Sequence, residues 1–343
     1  MITSDSLLEI KKVRLHYPVR SPILRRKVAA VHAVDDVDLT IRPGQTLALV
    51  GESGCGKSSL ARTILQLENR TAGEILLDGR RVPDQVKLKE FRRAVQVVFQ
   101  NPYATLDPRM SVGHSIAEPL RAFGLGDRRE RRRRVAEVLE QVGLQESDAA
   151  QYPHQFSGGQ RQRIAIARAL APRPRLIVCD EAVSALDVSV QAQIVTLLRE
   201  LQDAEGIAYL FVSHDLGIVR QIADDVAVMY LGKIVEQGPV ERVFEQARHP
   251  YTAALLSAVP IADPNAERKR PRILLSGSLP SATNPPSGCR FRTRCPIAQS
   301  ICAETIPTIA SDAQHGFACH FPLNPKNPFA ALAKATERKE SAE

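Results

Sequence analysis

Apolar and polar positions alternate from Leu7 to Leu15, and Ala33 to Ile41 mixes apolar with acidic residues, so both stretches predict strands. Between them lies a polar, basic insertion, Pro18 to Lys27, with Tyr17 at its edge. Leu47 to Val50 is continuously apolar, as is most of Leu176 to Cys179, which predicts buried strands. Gly73 to Gly79 predicts a short hairpin strand bounded by glycines, and Ala94 to Phe99 a strand that ends at Gln100. After the turn signal Asn101-Pro102-Tyr103 the period becomes helical from Val112 to Gly143, so a helical insert follows Gln100. Helical spacing returns in Gln162 to Leu170 and in Val188 to Ala204, with a strand at Ala208 to Val212. Val226 to Tyr230 and Lys233 to Glu236 predict a closing hairpin around Gly232. The alternation points to an α/β core.

The chemistry gathers where predicted strands end. Gly51-Glu52-Ser53-Gly54-Cys55-Gly56-Lys57-Ser58 follows the strand Leu47 to Val50 and precedes a helix predicted over Ser59 to Gln66. That context makes it a phosphate-binding loop. Its glycines let successive N–H groups converge, and the helix N-terminus adds partial positive charge. Lys57 is expected to reach the β- and γ-phosphates and Ser58 to ligate Mg²⁺. Ser157-Gly158-Gly159-Gln160-Arg161 opens another helix, with Ser157 as its N-cap and tandem glycines leaving N–H groups unobstructed. An anion could dock there, or another subunit could deliver one. The strand Leu176 to Cys179 ends in Asp180 and Glu181, which fits a Mg²⁺ contact and a base or water-positioner. Ser184-Ala185-Leu186-Asp187 starts the next helix, and the strand Ala208 to Val212 ends in Ser213-His214-Asp215, where His214 could reach a γ-phosphate. A Gly-Lys-Ser loop, an acid-ended strand and a His-ended strand stand in the order that a phosphate-hydrolysing α/β core requires.

Composition narrows the class. The 343 residues are 44% apolar, enough for two domains or one large core. No apolar run approaches the roughly 18 residues of a membrane span. Met1 to Ser6 carries neither a basic region nor an apolar core, so no secretory leader is expected and a cytosolic setting is. The net charge of +8 suits nucleotide phosphates and an anionic membrane surface nearby. Aromatic residues are only 5%, with no stacking platform for nucleic acid, and no nucleic acid partner is expected. The run Arg128 to Arg134 precedes Val135, Val138, Leu139 and Val142 and predicts the solvated first turns of a helix.

Ser157-Gly158-Gly159-Gln160-Arg161, together with the phosphate loop and Asp180-Glu181, resembles the ATPase subunit of ABC transporters over about residues 7 to 250. The resemblance implies a P-loop NTPase core, an antiparallel β subdomain and a helical subdomain at about 101–170. It also implies roles: Gln100 contacts Mg²⁺ and the attacking water, Glu181 is the catalytic carboxylate, and His214 is the switch histidine. Ser184 to Asp187 would line a dimer seam, and Tyr17 would stack on the base. Gly51 to Ser59, Gln100, Asp180, Ser157 to Gln160 and Asp187 would together surround ATP and Mg²⁺. Tyr17-Pro18-Val19, Asn101-Pro102-Tyr103, Ser184 to Ser189, His249-Pro250-Tyr251-Thr252 and Asn284 to Cys289 look like the dipeptide/oligopeptide importer branch. That branch implies a second, non-identical ATPase, two integral membrane permease subunits met through about Asn101 to Met110, and indirectly an extracytoplasmic peptide-binding protein. The expected location is the cytoplasmic face of the inner membrane. One departure from the family pattern is Ala182, where proline usually follows the catalytic Glu; no reacting group is lost. A soluble ABC ATPase of ribosome or DNA is the rival, disfavoured by a single cassette without heptads.

The six cysteines are unevenly spread. Cys55 lies in the phosphate loop and Cys179 in a strand, while Cys289, Cys295, Cys302 and Cys319 are separated by 5, 6 and 16 residues. In a reducing compartment four such thiols suit a metal, and the spacing fits Zn²⁺ or an iron–sulfur cluster alike. The resemblance to the importer branch implies a [4Fe–4S] cluster in a small Cys-rich region at 251–325, reached through Pro/Ser/Gly-rich connecting chain at 260–290. Residues 326–343 are charged and Ala-rich and predict a frayed helical tail.

Overall fold

The computed structural model describes residues 6–20, 27–101, 105–259, 273, 275, 277–312, 315–329 and 332. In chain order the elements are β1 (Leu8–Arg20), β2 (Lys27–Ile41), β3 (Thr46–Val50), α1 (Lys57–Ile64), β4 (Ala72–Leu77), β5 (Arg80–Val82), α2 (Leu88–Ala94) and β6 (Val95–Phe99). Next come α3 (Val112–Phe123), α4 (Arg128–Gln141), α5 (Gly158–Leu170), β7 (Leu176–Asp180), α6 (Val188–Glu205), β8 (Ala208–Ser213), α7 (Leu216–Ile222) and β9 (Asp225–Tyr230). The last are β10 (Lys233–Pro239), α8 (Val240–Glu245), α9 (Pro250–Ser257), α10 (Ile301–Glu304), β11 (Ala310–Asp312) and β12 (His315–Phe317).

The strands make two sheets. One is antiparallel, in the order β2-β1-β4-β5; the other runs β11-β12-β10-β9-β3-β8-β7-β6, with β9, β3, β8, β7 and β6 parallel. The continuous apolar runs are explained by what each face meets. Leu47 and Leu49 of β3 and Leu210 and Val212 of β8 join a core shared with the antiparallel sheet, while Ala48, Val50, Tyr209 and Phe211 face a second core built on α3 to α6. Side chains alternate along a strand, so a strand buried on both faces must be apolar at every position.

The registers level the functional strand ends. Phe99 pairs with Asp180, Asp180 with Val212, and Val50 with Ser213. Gln100, Glu181, His214 and Gly51 therefore all follow their strands at one edge of the sheet, where open α/β sheets bind ligands.

Three expectations are revised. Helix α1 begins at Lys57, two residues before the expected Ser59. The Pro18–Lys27 insertion is partly a hairpin extension: β1 continues to Arg20 and β2 starts at Lys27, with Tyr17 opposite Val31. The boundary expected at residue 250 does not bound the sheet, because β12 pairs with β10 and β11 with β12. These strands cover what would otherwise be an open edge. The attachment is fixed by Glu236, a fully buried carboxylate that accepts from the backbone N–H of Arg248 (2.6 Å) and His249 (2.9 Å) and lies 2.7 Å from His315 Nε2.

The arginine run opens α4 behind a capping box of Asp127 and Glu130, as a solvated first turn should. Arg134 departs from this. It reaches the carbonyls of Leu170 (2.9 Å) and Ala171 (3.2 Å), capping the C-terminus of α5, and it is half-buried. Of the tail, the frayed helix expected at 326–343 falls mostly outside the described residues, as do Pro102, Tyr103 and residues 260–272.

Candidate active site

A cleft of about 330 Å³ opens between the loop after β3 and the inner edge of the antiparallel sheet, with Tyr17, His32, Gly54, Lys57, Ser58 and Glu181 among its walls. Two glycines allow this proximity. A Cβ on Gly56 would lie 2.1 Å from the Ala33 carbonyl oxygen, and one on Gly51 2.2 Å from that of Met229. Gly56 has φ +111 and is the N-cap of α1, with no side chain capping the helix. The first N–H groups of α1 are thus left for a ligand. Lys57 is buried; its Nζ donates to the carbonyls of Gly51 (2.7 Å) and Glu52 (3.1 Å), so the ammonium sits within the loop. Ser53, Cys55 and Ser59 also border the cleft. Burial pushes the Cys55 thiol up, which leaves it an inert packing group.

Glu52 behaves differently from its neighbours in the loop. Its N–H donates to the Tyr251 hydroxyl at 2.8 Å, and its carboxylate is held by Arg294 through two bonds of 2.7 and 3.1 Å.

The acids at the end of β7 divide the work. Ser58 Oγ donates to Asp180 Oδ1 at 3.1 Å, and burial holds the Asp180 carboxyl above its ordinary range, only partly offset by Ser58, Arg62 and Lys57. A half-buried carboxylate beside a hydroxyl fits a cation. Glu181 has φ +51, a left-handed conformation uncommon for a residue with a side chain. Its backbone is fixed there by Glu181 N–H to the Val212 carbonyl (3.0 Å) and by Ser184 N–H to its own carbonyl (3.1 Å). Gln100 Nε2 donates to Glu181 Oε2 (3.1 Å) and to Ser184 Oγ (3.2 Å), and His214 Nδ1 lies 3.5 Å from Glu181 Oε1. Ala182 is buried in the core behind them.

Ser157 to Gln160 lie elsewhere. Ser157 caps α5 and forms a capping box with Gln160, and Gly159 packs so closely on α6 that a Cβ would come 2.6 Å from Val190 Cγ1. None of these four residues borders the cleft. Asp187 caps α6, accepting from Val190 N–H (3.0 Å) and Ser189 Oγ (2.7 Å), and the Ser189 hydroxyl bond holds its carboxyl below the usual range. Tyr17 does border the cleft, despite the insertion that follows it.

Sequence reasoning passed over Arg294, Tyr251, His32 and Ala282. Tyr251 had been noted only as part of a branch marker. Arg294 has no local signal, since its partner lies 242 residues away.

None of the six cysteines is in a disulfide. Cys289, Cys295, Cys302 and Cys319 influence one another electrostatically, and burial pushes the Cys295 and Cys319 thiols up to about 12. Among the described residues, the only set of three metal-competent side chains with donors mutually within 4.8 Å is His16, His32 and Asp35. Asp35 there is already engaged by Arg290 and Lys233.

Residues 34–184 match the family model described as ABC transporter, and residues 235–302 that described as oligopeptide/dipeptide transporter, C-terminal region. The chain is 49% identical over 320 residues to the oligopeptide transport ATP-binding protein AppF of Bacillus subtilis, covering 92% of this chain and 97% of that one. It is 52% identical over 283 residues to the glutathione import ATP-binding protein GsiA of Salmonella choleraesuis, covering 82% of this chain and 45% of the longer relative. Among solved structures, the ATP-binding cassette MJ0796, in a dimeric post-hydrolysis state with ADP and Pi, superposes with a TM-score of 0.60 at 30% identity over 68% of this chain and 98% of that one. CbiO1 of Clostridium perfringens, part of the transporter complex cbiONQ, gives 0.61 at 28% identity over 70% and 91%. The chain belongs to the ABC transporter family, as an ATP-binding ATPase subunit of its oligopeptide/dipeptide branch.

Proposed function

We propose that this chain hydrolyses ATP to drive import of di- or oligopeptides. It works as one of two ATPase subunits, the other similar but non-identical, docked from the cytoplasmic face on two membrane permease subunits. An extracytoplasmic binding protein supplies the peptide. Among the described residues no helix is long and apolar enough to cross a membrane, so the transport path belongs to the partners. The observation that carries the reading is the level register that gathers Gln100, Glu181, His214 and the Ser58–Asp180 pair at one sheet edge beside Lys57.

Lys57 and the uncapped start of α1 bind the β- and γ-phosphates, and Tyr17 stacks on the base. Glu181 orients or deprotonates the attacking water, Gln100 holds Glu181 and that water in line, and His214 contacts the γ-phosphate. Ser58, Asp180 and Gln100 would hold Mg²⁺, which when bound neutralises charge developing on the phosphates. Ser157, Gly158, Gly159 and Gln160 of one subunit close on the nucleotide of the other, and Asp187 lines the seam. ATP then bridges the pair, and its cleavage removes the bridge. The segment Asn101 to Met110 meets the permease.

The Glu181→Gln variant tests this reading. ATP binding is expected to persist while turnover falls by about 10²- to 10⁴-fold; hydrolysis near the parent rate would remove Glu181 from its role.

Cys289, Cys295, Cys302 and Cys319 are suited to hold a [4Fe–4S] cluster. The four thiols lie in one small region, near enough to influence one another, and four cysteines supply the ligand set that such a cluster needs. A cluster held by these four residues would serve to pin this loop-rich region. Iron and acid-labile sulfide in anaerobically purified protein are expected; stoichiometric zinc would replace this assignment.

A further inference from the structure

The phosphate loop carries an acid. Glu52 is its second residue, and its own carbonyl and that of Gly51 accept from Lys57. A loop that gathers N–H groups and an ammonium for polyphosphate gains nothing from a carboxylate, which repels the same ligand. The chain answers this from far along its length. Arg294 takes both oxygens of Glu52 in a fork, Nη1 to Oε2 at 2.7 Å and Nη2 to Oε1 at 3.1 Å, and its side chain is only 9% exposed. Two parallel charge-assisted bonds fix direction as well as distance. The Tyr251 hydroxyl holds the Glu52 N–H on the same side.

The arginine is itself held firmly. Its N–H donates to the Phe291 carbonyl (3.0 Å), and Phe291, fully buried, packs edge-on against Tyr230 at 5.2 Å and lies 5.4 Å from the Tyr251 ring. Arg290, one residue before Phe291, binds the Leu231 carbonyl and Asp35, at the Tyr17 end of the cleft. The His32 N–H donates to the Ala282 carbonyl at 2.9 Å. Ala282 itself borders the cleft, so the segment that ends at Arg294 starts at its rim.

We infer that Arg294 is a positioning residue of the nucleotide site, drawing the Glu52 carboxylate out of the phosphate cradle and cancelling its charge. The inference rests on nucleotide binding at this loop and not on the pairing, the cargo or the occupant of the cysteine site. It fixes a sign: without Arg294 the free carboxylate opposes ATP, and neutralising that carboxylate restores binding.

The test is equilibrium titration of the purified full-length chain with a fluorescent ATP analogue. Arg294→Met is expected to weaken binding by about tenfold. The double variant Glu52→Gln/Arg294→Met is expected to return within about threefold of the parent. The defect of Arg294→Met is also expected to shrink as salt is raised, because screening weakens repulsion between charges. Arg294→Lys, which keeps the charge but loses the fork, is expected to fall between parent and Arg294→Met. An affinity within about twofold of the parent in Arg294→Met, or a double variant as weak as the single one, overturns the inference. Should Arg294→Met not fold, Arg294→Lys and its Glu52→Gln double variant are read against the same two outcomes. If the variants bind ATP as expected here but the parent complex fails to import peptide, the fault lies in the transport reading and not here.

Discussion

At the N-terminus of α1 the loop Gly51–Gly56 leaves the helix without a side-chain cap, whereas at the N-terminus of α5 Ser157 and Gln160 close a full capping box. Both turns are glycine-rich and both open a helix, so their backbones offer similar donors. They differ in what surrounds them. The first is bordered by Lys57, Tyr17 and Ala282, and Arg294 answers its one acid. The second presents Ser157 and Gln160 to solvent, and beside it Val188 is 81% exposed. An uncapped helix start inside a cleft offers its N–H groups to an anion. A capped and exposed start is stable alone and can add to a phosphate only from across an interface. On the proposed function these are unlike halves of a site, which a second ATPase subunit would complete.

The sharpest way to break this contrast is at the exposed turn. Ser157→Arg is expected to lower turnover of the paired complex by about 10²-fold. Nucleotide affinity of an isolated copy, measured by titration, should move by less than about twofold. An equal loss of affinity in the isolated copy would mean that the turn serves its own cleft.

Acidification should loosen the enclosed half. His249 caps α9, with Nδ1 accepting from Tyr251 N–H at 3.1 Å, and so sits behind the hydroxyl that holds Glu52. Burial depresses its pKa to about 3, against Glu236, Arg248 and His315 as the nearby ionisable groups. Because the unfolded chain takes up the proton first, this group's contribution is complete above about pH 6.5 and lost as pH falls toward 3. The expected slope is about 1.4 kcal/mol per pH unit, or ~2 kcal/mol by pH 5, read from denaturant unfolding. His249→Asn should flatten that slope; an unchanged slope would assign it to other groups.

A smaller effect belongs to the base. Tyr17→Ala is expected to weaken ATP binding by about three- to tenfold with little change in turnover at saturation. Equal affinity in the variant would remove Tyr17 from the base.

These comparisons also show what the sequence could express. The phosphate loop, Asp180-Glu181 and His214 were legible because each is a local run ending a strand of recognisable period. Their meeting at one edge follows from parallel strands in level register, which the order of motifs implied. Tyr17 is harder: the polar, basic insertion Pro18–Lys27 lengthens its distance to Gly51 along the chain, yet β1 and β2 continue their ladder into it. Arg134 was read as solvated, though a long side chain on a helix start can cross to the end of another helix. The grip of Arg294 on Glu52 was invisible because nothing in either neighbourhood encodes a partner 242 residues distant. The return of β11 and β12 to the main sheet was missed for a related reason, since three-residue strands carry too little period to be seen.

The central claim is that ATP joins two subunits across their unlike glycine turns. It is tested most directly by sedimentation of the Glu181→Gln protein with its co-purified ATPase partner, with and without ATP. The account predicts a pair that forms with ATP and comes apart when ATP is removed. A saturated single subunit that never pairs, in a protein whose parent form hydrolyses ATP at full rate alone, would contradict it.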